Sequence, residues 1–194
     1  MALQAVPDLY APKRGRPFKL DLGSGQRVRE GYQGVDIADG ADFVVDLFAF
    51  PWPFASNSTS HVHISHFAEH IPHDRPEYGR VDGWWLFWDE VHRICRPGAT
   101  VEVVHPYVKS ERAFWDPTHV RFIHELTWYY LDLNWRKAQG LDHYQTSADF
   151  EVVVISGLGL ADDIVARSQE HQAFARAHYW NVIPDLSVQL KARK

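Results

Sequence analysis

The sequence is poor in cysteine, with Cys95 alone among its 194 residues. A single cysteine cannot form an intrachain disulfide, and it excludes a metal cluster built on several thiolates. A run of about 18 apolar residues, long enough to cross a membrane, is also missing. The N-terminal segment has no continuous apolar stretch of the kind found in secretory signals. We therefore expect a cytoplasmic protein that does not insert into a membrane.

An excess of basic residues is missing as well. Lys and Arg number 20 against 25 Asp and Glu, which gives a formal net charge of −5. This balance argues against nucleic acid as a partner, because nucleic-acid-binding domains typically carry a basic surface. The basic cluster of Lys13, Arg14, Arg16 and Lys19 is interpreted as part of a solvated, flexible N-terminal arm over residues 1–16.

The length and the 45% content of hydrophobic residues are typical of one globular domain. We predict a single domain over residues 1–194, with a composition compatible with a homodimer. Strands alternating with helices predict an α/β fold whose mostly parallel sheet is covered on both faces. The predicted strands are residues 17–22, 33–37, 42–46, 60–65, 100–105 and 149–157, the predicted helices are 81–96, 121–136 and 162–178, and residues 185–194 alternate like an exposed edge strand.

The turn after the first strand, LDLGSGQ, is the first candidate binding element. Gly23 and Gly25 allow the backbone to approach a ligand closely. Asp36, at the end of the second strand, can accept both hydroxyl protons of a ribose. A dinucleotide-binding turn has a small residue at the last position of its GxGxxG pattern, where this chain has Val28. The pattern favours an adenosine-type ligand without a pyrophosphate.

Six segments in order, LDLGSGQ, GVDI, VVDLFAFPWPF, HISHFAEHI, FWDEVHRICRPGATVEVVHP and FWDPTHVRF, resemble the motifs of class I S-adenosylmethionine (SAM) dependent methyltransferases of type 11. The resemblance implies a Rossmann-like fold with an antiparallel final strand. It also implies SAM as cofactor and methyl transfer to a small-molecule, sugar or nucleotide-like acceptor. The residues that it places around SAM are Asp21, Gly23, Ser24 and Gly25 at the methionine part, Asp36 at the ribose, Asp46 and Leu47 at adenine, and Ser65 with His66 near the methyl group.

Two features depart from that family pattern. The third glycine of the family's GxGxG turn is Arg27 here, which alters the expected contacts to methionine. Asp36 follows Gly25 by only 11 positions, whereas a crossover with its helix needs at least ~10 to 12 residues before any strand is counted. We therefore expect the first helix to be shortened or absent.

Five of the 12 histidines lie between residues 61 and 73, and neutral imidazole is a common metal ligand. His61 and His63 fall on the predicted strand, whereas His66 and His70 follow it, so the two pairs should face different directions. We therefore expect no bound metal. A histidine-ligated metalloenzyme on a Rossmann-like scaffold remains one alternative, and a non-catalytic module that binds a partner through a Trp-rich surface is another.

The candidate catalytic residues are His66, His105, Asp116 and His119. His105 ends a predicted strand, and the segment DPTHVR follows it in a loop that would cover the ligand cleft. A histidine can remove an acceptor proton near neutral pH, and a nearby carboxylate can orient it. The alternative is structural, with Asp116 or Thr118 capping a helix that begins at DPTH.

Overall fold

The computed structural model describes residues 10–12, 15–79 and 81–194. Its strands are β1 Phe18–Leu22, β2 Gln33–Asp36, β3 Phe43–Val44, β4 Thr59–Ser65, β5 Asp74–Arg75, β6 Val81–Asp82, β7 Cys95–Pro106, β8 Phe150–Leu158 and β9 Asp185–Ala192. Seven of them form one sheet in the order β3-β2-β1-β4-β7-β9-β8, and β5 pairs with β6. β9 runs antiparallel to both of its neighbours, and the pairs from β3 to β7 are parallel. The predicted α/β fold with an antiparallel final strand is confirmed.

The α-helices are α1 Gly83–Ile94, α2 Arg112–Trp115, α3 Leu133–Ala138, α4 Asp162–Val165 and α5 Gln169–His178, with 3₁₀ turns at Ala68–His70, Pro76–Tyr78 and Glu125–Leu131. α1 begins at the cap provided by Asp82, whose carboxylate accepts a hydrogen bond from the Trp84 amide at 2.7 Å. It agrees closely with the helix predicted over residues 81–96.

The chain passes from β1 to β2 without a helix, as the short spacing predicts. Two buried or half-buried carboxylates hold the connecting loop instead. Asp36 accepts a hydrogen bond from the Gly25 amide at 2.8 Å, and Asp21 accepts one from the Arg29 amide at 2.7 Å. Side-chain acceptors therefore satisfy backbone donors that a helix would satisfy internally.

The two faces of the sheet differ in polarity. One face is apolar and packs against α1 and a cluster of aromatic side chains, and it includes Leu20, Leu22, Val62, Ile64, Val101, Val103, Val188 and Leu190. The other face carries half-exposed polar side chains, among them His61, His63, Glu102 and Gln189. The expectation of a sheet covered on both faces is therefore wrong for β4, β7 and β9.

Apolar and polar residues alternate over residues 185–194 because one face of the sheet is exposed to water there. β9 lies between β7 and β8 rather than at an edge, and β8 is the edge strand. A central antiparallel strand alternates when one of its faces meets water. The edge-strand prediction is therefore wrong, although the strand itself is present.

Two helix predictions also need correction. Residues 121–124 are not helical, and the Arg121 side chain there donates to the carbonyl oxygens of Ile71 at 2.6 Å and Pro72 at 2.7 Å. The rest of the predicted helix over residues 121–136 divides into the 3₁₀ turn Glu125–Leu131 and α3. The predicted helix over residues 162–178 is split into α4 and α5, with Ser168 capping the second.

Much of the predicted N-terminal arm, including Lys13 and Arg14, lies outside the described residues. Tyr10 belongs to the predicted arm and is among the described residues. Its amide donates to the Pro53 carbonyl oxygen at 2.9 Å, which fixes it to the body of the protein. Among the residues that the structure describes, no helix combines the length and apolar character needed to cross a bilayer.

Candidate functional site

A pocket of about 220 Å³ lies beyond the carboxyl ends of β1, β2 and β3. Parallel strands present a ligand at this position when the order of the sheet reverses, as it does between β1 and β4. The lining residues are Gly23, Asp36, Ile37, Val45, Asp46, Leu47, Phe48 and Phe67. Four of the residues assigned to SAM by sequence, namely Gly23, Asp36, Asp46 and Leu47, therefore meet in one pocket.

Asp36 is the polar group at the centre of this pocket. Its Oδ2 accepts from the Gly25 amide at 2.8 Å and its Oδ1 from the Ala38 amide at 2.9 Å. A carboxylate oxygen can accept more than one hydrogen bond, so both oxygens keep capacity for hydroxyl donors. Asp36 thus holds the turn in place and can still bind a vicinal diol.

The walls of the pocket are apolar. Ile37 is 70% exposed at its mouth, and Phe48 stacks on Phe67 with ring centroids 5.2 Å apart. A methyl group at Gly23, whose φ is +68°, would meet the Phe67 ring at 2.2 Å. The turn therefore requires glycine at that position for both its conformation and its contact.

Five residues assigned to SAM do not line this pocket, and one of them, His66, lines a second pocket instead. The Asp21 carboxylate pairs with His63 Nδ1 at 2.7 Å on the polar face of the sheet. The Ser24 hydroxyl is buried close to the position that a Gly34 side chain would occupy. Ser65 ends β4 outside the lining set, and Gly25 has open space around it.

A second pocket, of about 360 Å³, is lined by His66, whereas the next residue along the chain, Phe67, lines the first. It is lined by His66, Glu69, His70, Pro106, Arg112, Trp115, Asp116 and His119. Three of the four candidate catalytic residues, His66, Asp116 and His119, are therefore brought together. The loop that carries Asp116 and His119 forms one wall of this second pocket and does not line the first.

Glu69 is the buried charge of the second pocket, with only 2% of its surface exposed. Its Oε1 lies 3.5 Å from His66 Nδ1 and 3.9 Å from His119 Nε2. The first of these distances is at the outer limit of a hydrogen bond, and that interaction raises the pKa of His66. Within the described part of the chain, neither side-chain oxygen of Glu69 has a well-formed hydrogen bond.

His119 is oriented by its second ring nitrogen. Nδ1 donates to the Ala113 carbonyl oxygen at 3.0 Å, so the neutral form of the ring has its lone pair on Nε2, which lies 3.9 Å from Glu69 Oε1. Arg112 also reaches this pocket and pairs with Asp185 at 2.7 Å. The pocket therefore presents a proton acceptor, a buried carboxylate and a fixed cation around one space.

The helix-cap interpretation of DPTH is wrong. Asp116 Oδ1 accepts from the Thr118 amide at 2.8 Å and from its hydroxyl at 2.6 Å, which closes an Asx turn. The next helical turn begins later, at Glu125, with His124 as its capping residue. The exposed Asp116 carboxylate has a lowered pKa because of these hydrogen bonds from Thr118.

His105 does not reach either pocket, and its assignment as a catalytic residue is corrected here. Its side chain is 0% exposed. Its Nδ1 bonds to the Pro106 carbonyl oxygen at 2.9 Å, and its Nε2 accepts from the Trp128 indole at 3.1 Å. Burial lowers the pKa of His105 to about 4. The ring is thus a neutral structural group that links β7 to the aromatic core.

His61 and His63 lie on the polar face of the sheet, away from both pockets, as their strand positions predict. Sequence reasoning missed Ile37 and Phe67 as pocket walls, and Arg112 and Trp115 as parts of the second pocket. The sequence signal for Ile37 was an apolar residue directly after Asp36, the acid that ends β2. Nothing in the local sequence marks Arg112, because its position depends on the chain fold.

No protein-family model matches the chain, and no curated protein sequence is similar to it. Solved structures are similar in fold. A SAM-dependent methyltransferase from Archaeoglobus fulgidus has 17% identity and a TM-score of 0.59 over 91% of this chain and 86% of its own.

Two further structures give the same result. A methyltransferase of Haloferax volcanii, in complex with the activator Trm112, has 15% identity and a TM-score of 0.52 over 92% of this chain and 82% of its own. A SAM-dependent methyltransferase from Mesorhizobium loti has 13% identity and a TM-score of 0.51 over 96% and 93% of the two chains. The chain therefore has the Rossmann-like fold of the class I SAM-dependent methyltransferases.

Proposed function

We propose that this protein is a SAM-dependent methyltransferase that acts on a small polar acceptor. The observation that carries the proposal is a pair of pockets lined by two consecutive residues, Phe67 in the first and His66 in the second. The first pocket suits a nucleoside, and the second offers groups that can bind and deprotonate an acceptor.

The residues of the first pocket fit the adenosine part of SAM. Both Asp36 oxygens have capacity for the ribose hydroxyls. Ile37 and Leu47 offer apolar surface for adenine, and the exposure of Ile37 would fall on binding. SAM would supply an electrophilic methyl group. The fit to the methionine part is weaker, because Asp21 is engaged elsewhere and Arg27 replaces a family glycine.

The residues of the second pocket would orient the acceptor. His119 presents its Nε2 lone pair to the space that Glu69 also faces, so it can accept a proton from a hydroxyl or amine. His66 lies beside the same carboxylate, and its charged form is favoured. Methyl transfer is an in-line displacement, so alignment of acceptor and methyl group can supply much of the rate enhancement.

The test is calorimetric titration of S-adenosylhomocysteine into the wild type, Asp36→Ala and Asp39→Ala. Loss of the Asp36 carboxylate should weaken binding by about 1–3 kcal/mol, or roughly 5- to 150-fold. Asp39 is exposed and outside the lining set, so its replacement is the matched control. Equal affinities in all three proteins, with unchanged melting temperatures, would refute the proposed ribose site.

A further inference from the structure

The second pocket contains a group of side chains whose chemistry is that of a metal site. One carboxylate oxygen of Glu69 and one ring nitrogen each of His70 and His119 lie within 4.8 Å of one another. We propose that these three residues bind a first-row divalent transition metal ion, with Zn²⁺ as the reference ion. Two imidazoles and one carboxylate are a common donor set for such ions, and imidazole disfavours Mg²⁺ and Ca²⁺.

The buried state of Glu69 is the first observation that points to a cation. A carboxylate with 2% exposure is costly to keep charged unless a partner neutralises it. Among the described residues, neither Oε atom has a well-formed hydrogen bond. The nearest groups that could carry a positive charge are His66 Nδ1 and His119 Nε2, which lie 3.5 Å and 3.9 Å from Oε1, farther than an ion coordinated by that carboxylate would lie.

The orientation of the two histidine rings is the second observation. His119 Nδ1 donates to the Ala113 carbonyl oxygen at 3.0 Å. His70 Nδ1 lies 3.3 Å from the Thr118 carbonyl oxygen and 3.1 Å from the Thr118 hydroxyl, whose own proton is donated to Asp116 at 2.6 Å. In their neutral forms, both rings therefore have the lone pair on Nε2. A hydrogen bond from the second ring nitrogen to a backbone or carboxylate-linked oxygen is the usual support of a metal-ligating histidine.

The separation of the donor atoms requires a small closing movement. Ligands of a tetrahedral ion with bonds near ~2.1 Å lie about 3.4 Å apart. Donor atoms spread over as much as 4.8 Å would each have to shift by roughly 1 Å or less toward the ion. Rotation of the histidine and glutamate side chains can supply this shift without moving the backbone, because His70 and Glu69 occupy one 3₁₀ turn.

Three protein ligands leave at least one coordination position open, and His66 and Arg112 line the same pocket. An acceptor hydroxyl in that position would release its proton to water more easily, and His119, as a ligand of the ion, would then hold the ion rather than take up that proton. This acceptor role rests on the proposed function, whereas the binding of the ion does not. The inference reverses the expectation of no bound metal, because that expectation considered only the histidines of residues 61–73 and His119 comes from a distant loop.

The test is titration of Zn²⁺ into chelator-treated protein without SAM, followed by calorimetry and by X-ray absorption to count the imidazole ligands. We expect one Zn²⁺ per chain with two imidazoles. Glu69→Gln and His119→Ala should each weaken binding by more than ~100-fold. Thr118→Val, on an exposed loop, should weaken it by ~10-fold, because the hydroxyl contact to His70 is lost while the Thr118 carbonyl oxygen remains 3.3 Å from the same nitrogen. His61→Ala is the matched control and should bind Zn²⁺ as the wild type does.

Saturable binding that is unchanged in His119→Ala, or lost in His61→Ala, would overturn the site. Absence of saturable binding in the wild type would also overturn it and would assign Glu69 to an ion pair with His66 and His119. If Glu69→Gln fails to fold, as judged by its melting curve without metal, Thr118→Val decides. Titration of S-adenosylhomocysteine is independent of these outcomes, so failure of the metal site and failure of the proposed function are distinguishable.

Discussion

Acidification should destabilise this protein through His105. The ring is fully buried as the neutral form, with the Trp128 indole donating to its Nε2 at 3.1 Å. Burial lowers its pKa from 6.5 to about 4, against smaller opposing effects of the Pro106 carbonyl, Glu69 and Glu125. In the unfolded chain the ring takes up a proton near pH 6.5, whereas in the folded protein it does so near pH 4.

The sign and size follow from this difference. Between these two pH values the unfolded state binds more protons, so the free energy of unfolding falls as the pH falls. With a pKa of 6.5 unfolded and about 4 folded, the loss is about 2 kcal/mol by pH 5 and about 3 kcal/mol by pH 4. Above pH 6.5 His105 contributes no pH dependence.

The assay is urea unfolding of the wild type and of His105→Gln at pH 7, 5 and 4, followed by far-UV circular dichroism. Gln keeps a hydrogen-bond acceptor for Trp128 but does not titrate. Other groups, including His66 with its raised pKa, titrate in both proteins and cancel in the comparison. The wild type should lose about 3 kcal/mol more than the variant between pH 7 and pH 4. Parallel losses in both proteins would show that His105 is not buried as a neutral ring.

Three further predictions concern the two pockets. Gly23→Ala should destabilise the fold by at least ~1 kcal/mol more than Gly25→Ala in thermal unfolding. Both glycines have positive φ, but only Gly23 faces the Phe67 ring. Equal losses of stability in the two variants would contradict that packing. Ile37→Ser should leave stability within ~0.5 kcal/mol while weakening S-adenosylhomocysteine by roughly 1–2 kcal/mol in calorimetry, and unchanged affinity would exclude Ile37 from the adenine wall. His119→Ala should lower the single-turnover methylation rate, once an acceptor is found, far more than the affinity for S-adenosylhomocysteine, and an unchanged rate would remove His119 from the reaction.

The sequence predicts the first half of the fold well, because its signals there are local. β2 ends at Asp36 and β4 at Ser65, β1 is followed directly by Gly23, and the short spacing between Gly25 and Asp36 excludes a crossover helix. The predicted SAM residues Gly23, Asp36, Asp46 and Leu47 meet because strand ends at one edge of a parallel sheet lie side by side.

The errors arise where one pattern has two physical causes. Alternation in β9 reports a water-exposed sheet face, and an edge position gives the same pattern. Apolar spacing over residues 121–136 suits a helix, but the first four residues are not helical, and Arg121 is held by the backbone carbonyl oxygens of Ile71 and Pro72. Glu69 and His119 lie close together because of the path that the loop takes after β7. No local sequence pattern predicts that path.

The crystal structure of the complex with S-adenosylhomocysteine tests the central claim most directly. The account predicts the ribose hydroxyls within hydrogen-bond distance of Asp36, adenine against Ile37 and Leu47, and the sulfur directed past Phe67 toward the pocket of His66 and His119. A nucleoside bound elsewhere, or a sulfur directed away from that second pocket, would contradict it.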